Sequence, residues 1–385
     1  MRATGIIVEY NPLHNGHLYH LQEARKQTKA DIIIAIMSGS FVQRGEPAII
    51  SKELRTKWAL EAGCDLVFEL PVRFAVQQAD IFASAAVQLL KDLKTDALFF
   101  GSENGDAAQF RTTAKLASSS LFEETLRQTL TEKKLSYGEA YTETLASFTN
   151  ELDVTKPNNI LGLHYALANE KQKANLELYS LKRTNDYHST DANSNDFASA
   201  TALRKLLLEN SLPAIKKKVP DFVYASLENY QAPLLSFSST YPYLRYRLLS
   251  DRNESLTAIN SVTEGIENRL RRAALEETAE NFLRATVTKR YSAARIRRTA
   301  MQILLQFQKT DQPENYLRLL GMTKQGQAYL STIKKELSLP LVSTPSKVSQ
   351  ELIQYDIQAS RFYHLLEGNS AQLNAEFSAR PLLYF

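Results

Sequence analysis

Hydrophobic residues in the first third of the chain occur in short runs, separated by longer stretches with helical spacing of apolar positions. The runs predict four β-strands, at residues 5–8, 31–37, 65–70 and 97–100. The longer stretches predict three helices, at residues 17–27, 51–62 and 80–93. Strands that alternate with helices of roughly 10–14 residues are typical of a parallel sheet covered on both faces, which binds ligands at the carboxyl ends of its strands.

The pattern changes after residue 100. Residues 107–150 have helical spacing, and turn-forming residues at 156–162 precede a helix predicted at 163–173. A strand at 176–181, a polar loop at 183–196 and a helix at 199–209 then complete a last βα unit. From about residue 220 the spacing is mostly helical. We therefore predict an α/β domain with a doubly wound parallel sheet over residues 1–215, and a mainly α-helical domain over residues 216–385.

Composition narrows the class of protein. A chain of 385 residues is long for one core, which agrees with two domains. Its single cysteine, Cys64, excludes an intramolecular disulfide framework and makes a thiolate metal cluster implausible, so we expect a cytoplasmic protein with no protein-held metal. The apolar runs are strand-sized and far shorter than a membrane span, and no secretory signal is visible. We expect neither a membrane nor DNA among its partners.

Positive charge is concentrated in one later segment. The formal net charge is only +4, but residues 281–308 contain no acidic residue. The segment contains five closely spaced cations, Lys289, Arg290, Arg295, Arg297 and Arg298. On one helix, Arg290 and Arg297 would share a face and meet one nucleic-acid backbone, so we interpret the segment as an RNA-binding surface. A solvated basic helix face is the alternative.

The strongest chemical signal is Asn-Pro-Leu-His-Asn-Gly-His at residues 11–17, between a predicted strand and a predicted helix. The start of a helix offers free backbone amides and the positive end of its dipole, both suited to phosphate. Gly16 permits close approach of the backbone, and His14 and His17 can each donate a hydrogen bond to charge that develops on phosphorus. The alternative is that both histidines only cap the helix. Their position at a strand-to-helix turn favours an adenylylation site.

These residues resemble the His-x-Gly-His signature of the nucleotidyltransferase superfamily. The longer stretch at residues 5–20 resembles the bacterial tRNA(Met) cytidine acetate ligase family more specifically. Further segments that resemble this family follow in order, at residues 37–39, 43–48, 99–105, 156–162 and 186–188. The resemblance implies that the chain uses ATP, with Mg²⁺ on the triphosphate, to activate acetate as acetyl-adenylate. It also implies transfer of the acetyl group to the wobble cytidine of elongator tRNA(Met).

The resemblance also implies which residues bind ATP, with His14 and His17 as the catalytic pair. The first group is the continuous stretch Ile7, Val8, Glu9, Tyr10, Asn11, Pro12, Leu13, His14, Asn15, Gly16, His17, Leu18, Tyr19 and His20. The second group is Gly101, Asn158, Arg183, Thr184, Thr201 and Arg204. Gly101 has an independent reason, because a glycine at the end of a strand leaves room for a nucleotide. Asn158 can equally hold a turn.

Residues 199–204 form a second phosphate-binding candidate. Ser199 or Thr201 can cap the predicted helix, its first amides can face phosphate, and Arg204 can contact the same phosphate. Ala200 replaces a serine that many relatives carry, so one hydroxyl contact is absent. A capped structural helix is the alternative interpretation.

Three questions stay open at the level of sequence. Arg44, Lys52 or Arg55 could meet the acyl acceptor or RNA, or could belong to a solvated loop and helix face. The same motifs also fit an adenylyltransferase that acts on a small cofactor precursor, although that activity has no evident use for the basic helical region. A non-catalytic RNA-binding protein on a nucleotide-binding fold is the remaining possibility.

Overall fold

A mixed β-sheet forms the centre of the molecule in the computed structural model, which describes residues 1–135, 137–149, 151–183, 198–312 and 314–385. The strands within these residues are β1 (Ala3–Val8), β2 (Ile32–Ser38), β3 (Phe41–Val42), β4 (Glu46–Pro47), β5 (Leu66–Leu70), β6 (Ala97–Ser102), β7 (Glu177–Lys182), β8 (Leu317–Thr323), β9 (Leu341–Val342) and β10 (Leu382–Tyr384). Strands β3 and β4 form a separate antiparallel hairpin.

The helices of the described residues alternate with the early strands and dominate the later part of the chain. They are α1 (Asn15–Thr28), α2 (Lys52–Glu61), α3 (Val72–Ala75), α4 (Ala79–Asp92), α5 (Ala107–Ala117), α6 (Ser120–Lys133), α7 (Tyr137–Phe148), α8 (Pro157–Lys171), α9 (Ala200–Leu208), α10 (Asp221–Glu228), α11 (Phe237–Ser250), α12 (Asn253–Thr257), α13 (Ile266–Ala273), α14 (Ala279–Thr286), α15 (Ala293–Leu304), α16 (Lys324–Ile333), α17 (Gln350–Leu366) and α18 (Ala375–Ser378). None of them is long and apolar enough to cross a membrane.

The strand order is β10-β8-β5-β2-β1-β6-β7, with β9 beside β8. Strands β5, β2, β1, β6 and β7 are parallel, as predicted, and the central β2 is buried along its whole length because helices cover both faces. The α/β fold class is therefore confirmed. The sheet is not purely parallel, however, since β8 pairs with β5 in the antiparallel direction.

The sheet also extends past the boundary expected near residue 215. Strands β8, β9 and β10 all come from the range 216–385, and the pairing of Leu66 with Met322 joins residues more than half the chain apart. Helices α11, α13, α14 and α15 share a second apolar core with Phe41, Val72 and Val76 of the first range. The helical range thus does not form a layer of its own. The division into two domains stays a prediction.

One predicted turn is wrong. The segment at residues 156–162 begins helix α8, with Lys156 as its N-cap and Pro157 at the first helical position. Proline is suited to that position because the first amide of a helix has no partner within the helix and because the φ angle of proline is already helical. The helix therefore starts six residues before the start predicted at residue 163, and Asn158 and Asn159 lie in its first turn.

Candidate active site

A cleft of about 280 Å³ lies at the carboxyl ends of β1, β6 and β7, where helices α1 and α9 begin. It brings together most of the residues expected to bind ATP: Ile7, Val8, Glu9, Tyr10, Asn11, His14, Gly16, His17, Tyr19, His20, Gly101, Asn158, Arg183, Thr201 and Arg204. Four others do not line it, namely Pro12, Leu13, Asn15 and Leu18. Thr184 lies outside the described residues. Two motifs about 190 residues apart thus meet at one edge of the sheet, as parallel strands require.

The first motif forms the start of α1, two residues earlier than predicted. His14 is its N-cap, and the Nδ1 atom of His14 accepts a hydrogen bond from the backbone N–H of His17 at 3.3 Å. Asn15 is turned away from the cleft, because its backbone and side-chain amides donate to the carbonyls of Lys218 and Lys217 at 3.0 and 2.9 Å. The capping role of His14 is therefore real, but it leaves the Nε2 atom of His14 for other chemistry.

The two histidine rings of the motif stack at a centroid distance of 3.7 Å and an interplanar angle of 16°. Burial, with a smaller contribution from the Arg183 charge, lowers the pKa of His14 to about 3. Burial and the neighbouring His14 lower the pKa of His17 well below its usual value. Both rings are consequently neutral at pH 7. Since Nδ1 of His14 accepts an amide hydrogen bond, its proton lies on Nε2, which makes that atom a donor.

The second motif begins α9 and is joined to the first motif by Arg204. Ser199 is the N-cap, since its hydroxyl accepts from the backbone N–H of Ala202 at 3.2 Å. The Nη1 atom of Arg204 donates to the carbonyl of Asn11 at 3.0 Å. Its Nη2 atom lies 3.4 Å from the hydroxyl of Thr201 and 3.4 Å from a carboxylate oxygen of Glu46. Arg204 therefore reaches from α9 to the turn before α1.

Asn158 is held in a reciprocal set of hydrogen bonds at the end of β6. Its side-chain amide donates to the Glu103 carboxylate at 2.7 Å, and the backbone N–H of Asn159 donates to the same carboxylate at 2.8 Å. The side chain of Asn159 in turn accepts from the backbone N–H groups of Glu103 and Asn104, both at 3.1 Å. This arrangement fixes the first turn of α8 against the end of β6 and explains why Asn158 lines the cleft.

Sequence reasoning missed several residues that line the cleft. Their apolar members are Phe82, Phe100, Leu161, Tyr165, Leu181 and Ala198, and their polar members are Gln43 and Lys182. Arg44, Ser199 and Ala200, which the sequence already singles out, line the cleft as well. Phe100 and Tyr165 pack edge to face at 5.8 Å. The apolar members carry no chemical signature in the sequence. Lys182 could have been found only from its position directly after a predicted strand.

Lys52 and Arg55 cannot meet RNA, because both are buried. The ammonium group of Lys52 lies between the carboxylates of Glu69 and Glu376, at 2.8 and 2.7 Å. Arg55 is completely buried and donates to the carbonyls of Ile50, Glu9, Ser38 and Gly39. Its role is structural, since it holds together the chain ends that follow β1 and β2.

The basic segment differs from the prediction in one respect. Helix α15 begins at Ala293, with Ser292 as its N-cap, so Lys289 and Arg290 precede the helix and Arg290 does not share a helix face with Arg297. Acidic residues from other parts of the chain form ion pairs with cations of this segment. Glu264 pairs with Arg290 and Arg295 at 3.1 and 3.2 Å, and Glu46 pairs with Arg297 at 3.4 Å. Arg298 is partly buried, whereas Lys289 is exposed.

Similarity to known proteins identifies the family to which the chain belongs. Its sequence matches the family described as HIGH Nucleotidyl Transferase over residues 1–376. The tRNA(Met) cytidine acetate ligase of Listeria welshimeri is 49% identical over 389 residues, which covers 100% of this chain and 99% of the relative. This chain belongs to the tRNA(Met) cytidine acetate ligase family. The protein of that name from Bacillus subtilis strain 168 is 41% identical over 387 residues, covering 95% of this chain and 92% of the relative.

Solved structures of the ligase family have the same fold. The crystal structure of Thermotoga maritima TmcAL bound with alpha-thio ATP has a TM-score of 0.89 and 30% identity, and covers 100% of this chain and 99% of that chain. Its apo form has a TM-score of 0.92 and 31% identity, with the same coverage. The resemblance predicted from the sequence is therefore confirmed, and so is the nucleotidyltransferase-like fold that it implied.

Proposed function

We propose that this protein activates acetate with ATP and transfers the acetyl group to the exocyclic amine of a cytidine in tRNA, forming N4-acetylcytidine. The target that fits the family is the wobble cytidine of elongator tRNA(Met), and the reaction takes place in the cytoplasm. Identity of 41–49% over nearly the full length supports this activity. The structural observation that carries it is the stacked pair of neutral histidines, facing a cleft that Arg183 and Arg204 also line.

The reaction has two steps. In the first, a carboxylate oxygen of acetate attacks the α-phosphorus of ATP, and the bond to the β-phosphate breaks as pyrophosphate leaves. In the second, the cytidine amine attacks the acetyl carbonyl, AMP leaves, and the amine loses a proton. That amine is a weak nucleophile because its lone pair is delocalised into the ring, which is why the acyl group must arrive as a mixed anhydride. An unpaired anticodon nucleotide can enter the cleft at low cost.

We assign the first step to the residues around the start of α1. The Nε2–H of His14 and the ring of His17 donate to the oxygens of the α-phosphate, where negative charge grows in the transition state. Neutral rings suit this role because each can donate a hydrogen bond from its N–H group without first breaking an ion pair. Thr201 and Arg204 hold the leaving pyrophosphate, while Asn158, Arg183 and Gly101 orient the nucleotide.

A magnesium ion would be held mainly by the triphosphate. The described residues contain no group of three or more His, Cys, Asp or Glu side chains arranged to hold a metal ion. Two carboxylates lie near the phosphate region. Glu9 accepts a hydrogen bond from the backbone N–H of Gln43, and Glu46 pairs with Arg204 and Arg297. When bound, the ion would neutralise charge on the phosphates.

The RNA-binding surface is proposed to include Lys289, Arg290, Arg295, Arg297 and Arg298. Lys289 and Arg290 are exposed, and helix α15 approaches the cleft through contacts with the β3–β4 hairpin. Phosphate contacts there would orient the anticodon without reading its sequence.

One assay tests the function directly. The protein is incubated with labelled acetate, ATP and total tRNA, the RNA is digested, and N4-acetylcytidine is sought among the nucleosides. We expect His17→Ala to lower acetyl-adenylate formation by about 100- to 1,000-fold while tRNA binding is retained. His164→Gln, in a half-buried histidine of α8 that does not line the cleft, is the matched control. Pyrophosphate exchange that requires a phosphorylated cofactor precursor instead of acetate would refute the proposal, as would full activity of His17→Ala.

A further inference from the structure

The β3–β4 hairpin carries a cation into the ATP cleft that the family resemblance does not assign. The hairpin pairs Phe41 with Pro47 and Val42 with Glu46, and the N–H of Gly45 donates to the carbonyl of Val42 at 2.9 Å to close its turn. Both Gln43 and Arg44, in that turn, line the cleft. The turn is joined to the end of β1, since the backbone N–H of Gln43 donates to the Glu9 carboxylate at 2.9 Å.

The position of the hairpin is fixed by helix α15. Gly45 has a φ of +77°, and a Cβ atom added there would lie 2.3 Å from the backbone nitrogen of Arg298 and 2.4 Å from the carbonyl carbon of Arg297. Backbone atoms cannot move aside as a flexible side chain can, so only glycine fits. Glu46, the residue after Gly45, pairs with Arg297 through one carboxylate oxygen and with Arg204 through the other. The turn is thus held between α15 and α9.

This geometry brings Arg44 to the start of α9. The Nη1 atom of Arg44 donates to the hydroxyl of Thr201 at 3.1 Å, and the same hydroxyl lies 3.4 Å from Arg204. Two guanidinium groups therefore converge on one hydroxyl in the first turn of a helix that is nine residues long and has no acidic residue in that turn. Glu46 pairs with both Arg204 and Arg297, so one carboxylate faces two cations. A polyanion suits this arrangement.

We propose that Arg44 is a further substrate-binding residue, which contacts the phosphate groups of ATP that leave as pyrophosphate, opposite Arg204 and beside Thr201. The inference rests on the proposed use of ATP in this cleft. Arg44 approaches from the hairpin and Arg204 from α9, so the two guanidinium groups can bind non-bridging oxygens from different directions, as tight binding of a phosphate chain requires. Gly45 and Glu46 act as positioning residues for Arg44.

Binding of ATP and of tRNA, measured separately on the full-length protein, tests the proposal. We expect Arg44→Ala to raise the Kd for ATP and the inhibition constant of inorganic pyrophosphate by about 10- to 100-fold, the range for loss of a charge-assisted hydrogen bond. Arg44→Lys keeps the charge but not the fork of donors, so we expect an intermediate Kd. The affinity for tRNA without ATP should change by no more than about twofold. Arg127→Ala, in an exposed arginine of α6, is the matched control.

Two outcomes would overturn the proposal. The first is an unchanged Kd for ATP in an Arg44→Ala protein that keeps the Tm of the wild type. The second is a loss of tRNA affinity with ATP binding intact, which would assign Arg44 to the RNA. Gly45→Ala provides a second test, since it should weaken ATP binding through displacement of the hairpin even though Arg44 is present. If the wild type binds ATP and Arg44→Ala does not, but no N4-acetylcytidine is formed, the proposed function fails and the assignment of Arg44 stands.

Discussion

Glu376 is expected to be among the most costly single carboxylates to remove, although it lies close to the end of the chain. Its two oxygens contact two buried cations: one lies 2.7 Å from the ammonium of Lys52, and the other lies 3.1 Å from Nη2 of Arg318. All of these side chains, with Glu69, are only 3–4% exposed. Glu376 and Glu69 therefore face two cations in a region of very low exposure, and burial raises the pKa of Glu69 to about 7, which leaves Glu376 as the main negative charge beside them.

The substitution Glu376→Gln keeps the shape of the side chain but leaves the cluster with one carboxylate for two buried cations. Burial acts to raise the pKa of Glu376, but Lys52 and Arg318 more than offset it, so the pKa is lowered and the carboxylate is charged at pH 7. Removing one partner of a buried ion pair costs about 3–5 kcal/mol, because the remaining charge keeps its desolvation penalty. We expect a loss of that size, a large part of the total stability of an ordinary domain.

Fluorescence of the only tryptophan, Trp58, measures this loss. Trp58 is completely buried in α2, the helix that also carries Lys52, so urea unfolding followed at this residue reports the affected region. Glu124→Gln, in an exposed residue of α6, is the control and should change the stability by less than about 0.5 kcal/mol. A loss below about 1 kcal/mol for Glu376→Gln, the size expected of a surface ion pair, would refute the argument.

Two further predictions concern the cleft. Burial lowers the pKa of His14 to about 3 and that of His20 to about 4. Between these values and the unfolded value near 6.5, the unfolded chain binds more protons than the folded protein does. The stability should therefore rise with pH over that window and be lost as the pH falls. His20→Gln should flatten the stability profile between about pH 4 and 6.5 in urea titrations at a series of pH values, and a profile as steep as that of the wild type would contradict the assigned burial effect. Arg55→Lys should reduce kcat for acetyl-adenylate formation more than it raises the KM for acetate, because one ammonium group cannot donate to all four carbonyls that Arg55 contacts. A variant with the Tm, kcat and KM of the wild type would exclude this positioning role.

The sequence alone predicts the secondary structure well where the local pattern of hydrophobic residues determines it. The strands β1, β2, β5, β6 and β7 lie close to the predicted runs because each is a short apolar segment between amphipathic helices. The residues of the two motifs predicted to bind phosphate are likewise local, and the rule that parallel strands present ligands at one edge is enough to bring them together. Strand β8 was missed because its partner β5 is about 250 residues away and because Arg318, buried within it, gives the segment a polar appearance.

The functional surroundings of the motifs depend on contacts between distant residues. The tight packing of Gly45 against the backbone of α15 has no signal in either segment alone. The burial of Lys52 depends on Glu69 and Glu376, of which the second follows more than 300 residues later. Lys52 reads as solvent-exposed in the sequence, but its charge is neutralised by partners that only the fold supplies. A charge pattern in the sequence therefore does not show which cations are buried or which have acidic partners from distant parts of the chain.

The basic segment illustrates this point and gives a last prediction. No acidic residue occurs at positions 281–308, yet Glu264 lies between Arg290 and Arg295 and reduces the positive field that an RNA phosphate would meet. Glu264→Gln removes that negative charge and leaves both cations in place. At close approach one unit charge is worth about 1 kcal/mol, so tRNA should bind about fivefold more tightly, with a steeper dependence of log affinity on log salt.

Filter binding of tRNA at several salt concentrations measures both quantities, with Glu124→Gln as the control for loss of an exposed carboxylate elsewhere. The ion pairs of Glu264 are exposed, so their loss should hardly change stability, and the two effects can be separated. An affinity equal to that of the control would mean that RNA does not contact Arg290 and Arg295. The candidates would then be Lys289, Arg297 and Arg298, together with the exposed Lys216 and Lys217, whose segment is hydrogen-bonded to Asn15 at the start of α1.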